Sequence, residues 1–371
     1  MSPKLRVLVL FGGRSAEHEI SLLSARFVVE ALDPERFEPL LVGIDKQGRW
    51  QLESRDSLLS AGKDAHAIAL TSGLPQVSLP PRPAQGGALQ LSVEARAPLG
   101  VDVVFPVLHG PMGEDGTVQG LLELSGLPYV GVGVLGSAVG MDKDVMKRLL
   151  LHAGLPVLPY VTLRQARYSR EREDCLTEAR SLRFPVFVKP ANLGSSVGVS
   201  RVVDPDALAA AIDLAFEFDA KVVIEQGLNR PREIECAVLG GAAPLVSVPG
   251  EIVVDHPDGF YSYAAKYLDD NGATTRIPAE LGPAEIAQAQ ALSLRTFEAL
   301  ECEGMARVDL FLGSDRKLWV NEINTIPGFT QISMYPKLMQ ASGVPPRELV
   351  SRLIDDALVR GARKQARKTS T

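Results

Sequence analysis

The chain has 371 residues, of which 46% are hydrophobic and 23% charged, with a formal net charge of -6. That length suits two or three α/β domains, and the acidic balance lacks the basic footprint of a nucleic-acid binder. The longest early apolar run, Val7 to Phe11, is cut by Gly12 and Gly13. It is too short for a signal peptide or a membrane span, so no membrane association and a cytoplasmic location are expected. Cys175, Cys236 and Cys302 lie far apart without metal-ligand spacing and read as reduced, buried side chains.

Leu5 to Phe11 reads as a parallel strand buried on both faces. Gly12-Gly13-Arg14-Ser15 turns the chain, a helix is predicted over Ile20 to Leu32, and Asp33-Pro34 ends it. Phe37 to Ile44 is a second strand, and strands alternating with helices imply βαβ units. Leu74 to Leu99, rich in Pro, Gly and Gln, reads as a surface excursion with one edge strand. Val101 to Leu108 returns to the sheet and leads through His109 to Gly116 into a helix stopped by Gly126.

Beyond residue 140 the pattern becomes α+β. Asp144 to Ala153 is helical, short strands run over Val186 to Lys189, Val199 to Val203, Val222 to Glu225 and Ile234 to Leu239, and a helix spans Pro205 to Phe218. A polar loop (Asp255 to Arg276), a helix (Pro283 to Leu300) and a hairpin of Met305 to Leu312 with Leu318 to Ile323 follow. The fold class is therefore mixed α/β and α+β. Residues 1–140 form an N-terminal parallel-sheet domain, 141–245 a central domain, 246–360 a C-terminal domain, and the basic segment 361–371 a flexible tail.

Two segments carry chemistry. The strand Val186-Phe187-Val188-Lys189 runs into Ala191-Asn192-Leu193-Gly194-Ser195-Ser196-Val197-Gly198. Small residues let backbone N–H groups approach an anion, serine hydroxyls add donors, and the lysine supplies a point charge. The lysine precedes the glycines on a strand, so this is a β-hairpin flap over a triphosphate rather than a Walker loop. In isolation it also reads as a glycine-serine hairpin with a surface lysine.

The second segment is the hairpin. Arg307 and Asp309 share one strand face, as do Glu322 and Asn324. Paired, they form an oxygen-rich patch suited to Mg²⁺ carried with nucleotide phosphates, with Arg307 available to stabilise negative charge. The alternative is a surface hairpin with a cross-strand Arg–Glu pair. The adjoining Thr325-Ile326-Pro327-Gly328-Phe329-Thr330 favours the functional reading, since Gly328 can present its N–H to a reacting centre.

Together with Gly12 to Glu17, His109 to Gly116, Asp142-Lys143, Phe260 to Tyr267 and the run NEINTIPGFTQISMYPKL from Asn321, these segments resemble the D-alanine–D-alanine ligases of the ATP-grasp superfamily. The resemblance spans Val7 to Leu338 and implies an N-terminal α/β domain followed by a two-domain ATP-grasp fold. It implies ATP-dependent formation of D-alanyl-D-alanine through a D-alanyl phosphate, with D-alanine and ATP as partners. It also implies two Mg²⁺ ions, with Mn²⁺ as an alternative, and a homodimer.

Roles follow from the resemblance position by position. Glu17 anchors the ammonium of the first D-alanine, with His109 beside it. Lys143 and Lys189 meet ATP phosphates, and Phe187, Ser195, Ser196, Lys266 and Phe311 complete the ATP set. Glu225, Gln226 and Leu228 meet the adenine, and Glu233 the ribose. Arg307 and the Gly328 amide form the oxyanion-stabilising pair, and Asp309, Glu322 and Asn324 hold the ions. Ser333, Met334 and Lys266 hold the carboxylate of the second D-alanine. Tyr267, within a lid over 255–276, contacts Glu17 and Ser195 and favours an amine over D-lactate as second substrate. No nucleophilic Ser or Cys is expected, because phosphoryl transfer needs positioning and charge neutralisation. Ser262, Gly227 and His18 depart from the family's usual residues. Another ATP-grasp carboxylate–amine ligase, and a nucleotide-binding protein without catalysis, are the competing readings.

Overall fold

The structure is a computed structural model that describes residues 3–60, 68–80, 88–91, 99–254 and 273–367. The N-terminal unit is built on β1 (Leu5–Gly12), α1 (His18–Ala31), β2 (Phe37–Ile44), β3 (Trp50–Glu53) and α2 (Arg55–Ser60). It continues through β4 (Val77–Ser78), β5 (Ala88–Leu91), β6 (Leu99–Gly100), β7 (Val103–Val107), α3 (Thr117–Leu124) and α4 (Val134–Met141). Its main sheet has the order β3-β2-β1-β7, and β1 runs parallel to both β2 and β7. The continuous apolar run of β1 explains its central place. Val7, Val9 and Phe11 enter one core while Leu8 and Leu10 enter another, so both faces are covered. The excursion after residue 74 holds three short strands in the order β4-β5-β6, not one edge strand. Each is too short to stand out from its turn-forming neighbours in sequence.

The central unit comprises α5 (Lys143–His152), β8 (Tyr160–Arg164), α6 (Gln165–Tyr168), α7 (Arg172–Arg180), β9 (Val186–Pro190), β10 (Ser200–Val202), α8 (Leu208–Phe216) and β11 (Lys221–Gln226). Its sheet has the order β10-β9-β11-β8. β12 (Arg232–Leu239), expected in this unit, instead pairs along its whole length with β16 (Met305–Leu312) in a third sheet. The division therefore falls near residue 230 rather than 245. The apolar run Ile234 to Leu239 marks a strand but not its partner.

The third sheet runs β15-β14-β12-β16-β17, with β13 (Leu245–Val246) beside β12, β14 as Gly250–Val254, β15 as Ala273–Arg276 and β17 as Leu318–Asn324. The far end of the expected lid, 273–276, is thus a paired strand, and 255–272 lie outside the described residues. α9 (Pro283–Ala299) covers the sheet, and α10 (Met334–Ala341) and α11 (Pro346–Gln365) close the chain.

α11 sets the geometry between units. Its apolar stripe of Leu349, Val350, Leu353, Ile354 and Ala357 joins the same core as Val7, Val9 and Phe11 of β1. Burying each large aliphatic side chain there is worth roughly 1.5–3 kcal/mol, and the first and last parts of the chain share that core. The segment expected as a tail from 361 is helical to Gln365. Arg360 reaches the carbonyls of Tyr129 and Gly131 at 3.1 and 2.9 Å, and Lys364 pairs with Glu123. Basic side chains in a last turn also suit the helix dipole.

Candidate active site

The three sheets meet where the phosphate loop, the hairpin and the first βα turn converge. On β16, Ala306, Val308, Leu310 and Leu312 point into the core, so Arg307, Asp309 and Phe311 share the opposite, half-buried face. On β17, Trp319 stands opposite Phe311 and Val320 opposite Leu310, but Glu322, not Asn321, stands opposite Asp309. The register shifts between Asp309 and Leu310, leaving Asn321 as the extra residue of a bulge. Strict alternation from Trp319 would send Glu322 and Asn324 to the core side. The bulge reverses them onto the site face, the use to which such irregularities are put beside active sites.

Three rows of facing residues result across β12, β16 and β17: Glu233–Phe311–Trp319, Glu235–Asp309–Glu322 and Ala237–Arg307–Asn324. The Arg307 guanidinium forks onto Asp309 with two bonds of 2.7 Å and lies 3.1 Å from Glu235. Burial alone would lower its pKa, but Asp309 and Glu235 more than offset this and hold it well above its ordinary value. Asn324 donates its Nδ2 hydrogen to Asp309 at 3.0 Å, which turns its amide oxygen away from that carboxylate.

Whether these residues fit divalent cations can be judged from their donor chemistry. Among the described residues no group of three or more His, Cys, Asp or Glu forms a metal cage. Two carboxylates and an amide oxygen are a hard, sparse set, as expected for Mg²⁺ that completes its shell with phosphate oxygens and water. The set fits.

Lys143 ties this face to the phosphate loop. It sits at the start of α5, whose first turn is capped by the Asp142 carboxylate accepting from the Asp144 and Val145 amides. Its ammonium donates to the Leu193 carbonyl at 2.6 Å and lies 3.7 Å from Glu322. On β9, Phe187 and Lys189 alternate with buried Val186 and Val188, so both face the site. Asn192 at the loop base donates twice to Asp219, at 2.8 and 2.9 Å. Ser195 and Ser196 both have positive φ, 52° and 58°, a conformation L-residues other than Asn and Asp seldom adopt. It aims the Ser195 hydroxyl at Glu17, to which it donates.

Two of the expected residues have structural partners that their sequence positions do not announce. Glu225 is 1% exposed. One of its oxygens accepts from Lys189 at 2.6 Å and the other from Lys147, itself 1% exposed and absent from the sequence-derived set. Burial would raise this carboxyl, yet the two ammonium groups hold it at about 2. Glu225, expected at the adenine edge, is thus also a buried clamp on two lysines. Lys147 had a findable signal: it lies one helical turn after Lys143, on the buried face of α5. Gln226 and Leu228 are half-buried beyond the clamp. Gly227 between them is needed, because a Cβ there would lie 2.9 Å from the Phe187 ring and 3.0 Å from the Pro185 carbonyl.

His109 is 5% exposed, and both ring nitrogens are engaged. Nδ1 lies 3.1 Å from the Ile326 carbonyl and so donates to it, leaving Nε2 to accept from the Ser24 hydroxyl at 3.2 Å. Ser24 in turn accepts from the Phe329 amide at 3.2 Å. His109, expected beside the first D-alanine, thereby also braces the loop that carries Gly328. Gly328 packs so closely on Ser333 that a Cβ would lie 2.8 Å from its Oγ, which brings those two expected residues together. Met334 sends its side chain into the core against Gly250, leaving only its backbone for a ligand. Lys266 and Tyr267 lie outside the described residues.

Comparison with known proteins gives the same answer at every level. Residues 6–132 match the family model for the D-Ala D-Ala ligase N-terminus, and 149–355 that for its C-terminus. This chain belongs to the D-alanine–D-alanine ligase family. D-alanine–D-alanine ligase A of Bradyrhizobium diazoefficiens is 51% identical, over 99% of this chain and 98% of its own length. That of Escherichia coli is 48% identical over 99% of both chains. Among solved structures, the ligase from Coxiella burnetii superposes with a TM-score of 0.82 at 37% identity, covering 98% of this chain and 96% of its own. The VanG D-Ala:D-Ser ligase from Enterococcus faecalis reaches 0.82 at 34% identity, covering 96% and 100%. No helix among the described residues is long and apolar enough to cross a membrane.

Proposed function

We propose that this chain is an ATP-dependent ligase that joins two D-alanine molecules into D-alanyl-D-alanine for peptidoglycan synthesis. The γ-phosphoryl group of ATP passes to a carboxylate oxygen of the first D-alanine, and ADP leaves. The amine nitrogen of the second D-alanine then bonds to the acyl carbon, phosphate departs with the oxygen it gained, and the amine releases a proton. Glu17 binds the first ammonium and is held in place by Ser195. Lys143 and Lys189 neutralise phosphate charge, and Glu225 with Lys147 keeps Lys189 aimed. Arg307 and the Gly328 amide meet the negative charge that grows on the acyl oxygen. Asp309, Glu322 and Asn324 would hold two Mg²⁺ ions, with Mn²⁺ as an alternative, whose chemistry is charge neutralisation at the phosphates.

The observation that carries this reading is the position of Lys143, whose ammonium touches the phosphate loop at Leu193 and stands beside Glu322 of the oxygen row. The organic substrates divide between Glu17 on one side and the Ser333 turn on the other. Tyr267 favours an amine as second substrate, and the family resemblance implies a homodimer at work in the cytoplasm.

Product analysis with D-alanine, D-serine and D-lactate in competition tests the proposal. D-alanyl-D-alanine is expected as the main product, with ATP cleaved to ADP and phosphate only when D-alanine and a divalent cation are present. A mainly D-lactate-containing product at neutral pH would overturn the substrate assignment. Glu322→Ala is expected to abolish turnover while leaving the circular-dichroism spectrum unchanged.

A further inference from the structure

Glu235 received no role from motif or resemblance, yet it closes one end of the site's row of carboxylates. It lies on β12 directly across from Asp309 and is 5% exposed. Its carboxylate stands 3.1 Å from the same Arg307 Nε that donates to Asp309 at 2.7 Å. The arrangement poses a conflict. The fork from Arg307 occupies both oxygens of Asp309, Oδ1 through Nε and Oδ2 through Nη2. Asn324 Nδ2 takes a third of the roughly four acceptor sites, on Oδ2, so a divalent cation held by Asp309 competes with these donors for the carboxylate. If Asp309 turned away with nothing in its place, Arg307 would be a half-buried cation without a counter-charge, free to follow Asp309 or leave its post at the acyl oxygen.

We infer that Glu235 is a positioning residue that retains Arg307 when Asp309 turns to a divalent cation, so that one buried carboxylate keeps the guanidinium in place while the other becomes a metal ligand. Three features support this. Glu235 sits on the side of Arg307 away from Glu322, because the row runs Glu235–Asp309–Glu322. Its burial keeps it from serving as a solvent-facing ligand itself. Ala237, opposite Arg307 on the same face of β12, is small enough to leave the guanidinium room beside both acids. The exchange involves no proton and no covalent step: one ion pair loosens as one coordination bond forms, and Arg307 remains neutralised throughout.

The inference rests on Asp309 being a cation ligand, and the experiment separates the two. Mn²⁺ is titrated into the full-length protein with ADP present and D-alanine absent, and free Mn²⁺ is read by electron paramagnetic resonance, so no turnover is involved. Glu235→Gln preserves shape and removes the charge. Its Mn²⁺ dissociation constant is expected to rise about tenfold or more, as for loss of an outer-shell partner. The same substitution in an Arg307→Gln background is expected to change Mn²⁺ affinity by less than about twofold, since the coupling runs through Arg307. Wild-type Mn²⁺ affinity in E235Q would overturn the inference. So would an equal loss with and without Arg307, which would make Glu235 a bystander charge. Should the double variant fail to fold, the E235Q titration alone still decides, with a thermal melt confirming its native state. Asp309→Asn that binds Mn²⁺ normally would instead overturn the metal assignment beneath the inference, whatever E235Q does.

Discussion

Ser195 in the phosphate loop donates its hydroxyl hydrogen to Glu17 at the start of α1, joining two units across 178 positions of sequence. The bond depends on a left-handed backbone at Ser195 and again at Ser196. Such strain persists only where surrounding structure holds it, and here it falls in the glycine-serine loop proposed to close over ATP.

Two substitutions separate hydroxyl from backbone. Ser195→Ala removes the donor and keeps the strain, while Ser195→Gly removes both. A hydrogen bond to a charged group is worth about 1.5–3 kcal/mol, so each should lower kcat/KM for the first D-alanine by about tenfold or more. Steady-state kinetics at saturating ATP reads this. Near-normal kinetics in the glycine variant would show that the hydroxyl does not position Glu17.

Glu225 offers a test of the lysine clamp. Glu225→Ala leaves Lys147 buried, where desolvation already pulls its pKa down despite the neighbouring carboxylate. Removing one partner of a buried ion pair costs about 3–5 kcal/mol. Denaturant unfolding followed by circular dichroism should show a loss of that size, and a loss under about 1 kcal/mol would contradict the clamp. Because the folded carboxyl is held at about 2, below its unfolded value, its stabilisation is complete above the unfolded value and disappears as pH falls through about 2.

Glu114 behaves in the opposite sense. It accepts from the Gly110 amide at 3.0 Å, and burial, reinforced by the negative charge of Glu17, pushes its carboxyl up to about 8. The native state therefore keeps a proton that the unfolded chain releases near 4.5. This stabilisation is present below the unfolded value and is lost as pH rises through the folded one. Glu114→Gln, which mimics the protonated acid, should gain thermal stability relative to wild type between about pH 5 and about pH 9. A gap between the two melting temperatures that does not change with pH would refute the assignment.

The histidine brace makes a spectroscopic statement. His109 must carry its proton on Nδ1 to donate to the Ile326 carbonyl, with Nε2 accepting from Ser24. Burial lowers its pKa, with Glu17 acting against that shift, so the neutral ring should persist below the usual histidine midpoint. Nitrogen-15 NMR of the ring should show that tautomer at neutral pH. A protonated Nε2 would require the Ser24 contact to be redrawn.

The amino-acid sequence was enough to place β1, β2, α1, α5, α9, β16 and β17 within a residue or two, because each carries a local period of two or 3.6 bounded by glycine or proline. It was also enough to nominate Asp309, Glu322, Asn324 and Lys189 by residue type and spacing, with Lys143 added by the family resemblance. Side-chain partners were less legible. Lys147 and Glu225 are separated by 78 positions and Arg307 and Glu235 by 72, and no local pattern says that a buried acid and a buried base will meet. The same holds for α11, whose apolar stripe is plain in sequence but whose partner is a strand at the other end of the chain.

Sequence alone therefore determined the family, and it nominated the residues for phosphate, cation and, through the resemblance, ammonium. Tertiary structure decided which of those side chains face the same space. The bulge at Asn321 shows why. An alternating strand has only two faces, and one unpaired residue exchanges them. Whether Glu322 meets Asp309 or the core is settled by how β17 registers on β16, a pairing energy distributed over the whole sheet and encoded at no single position.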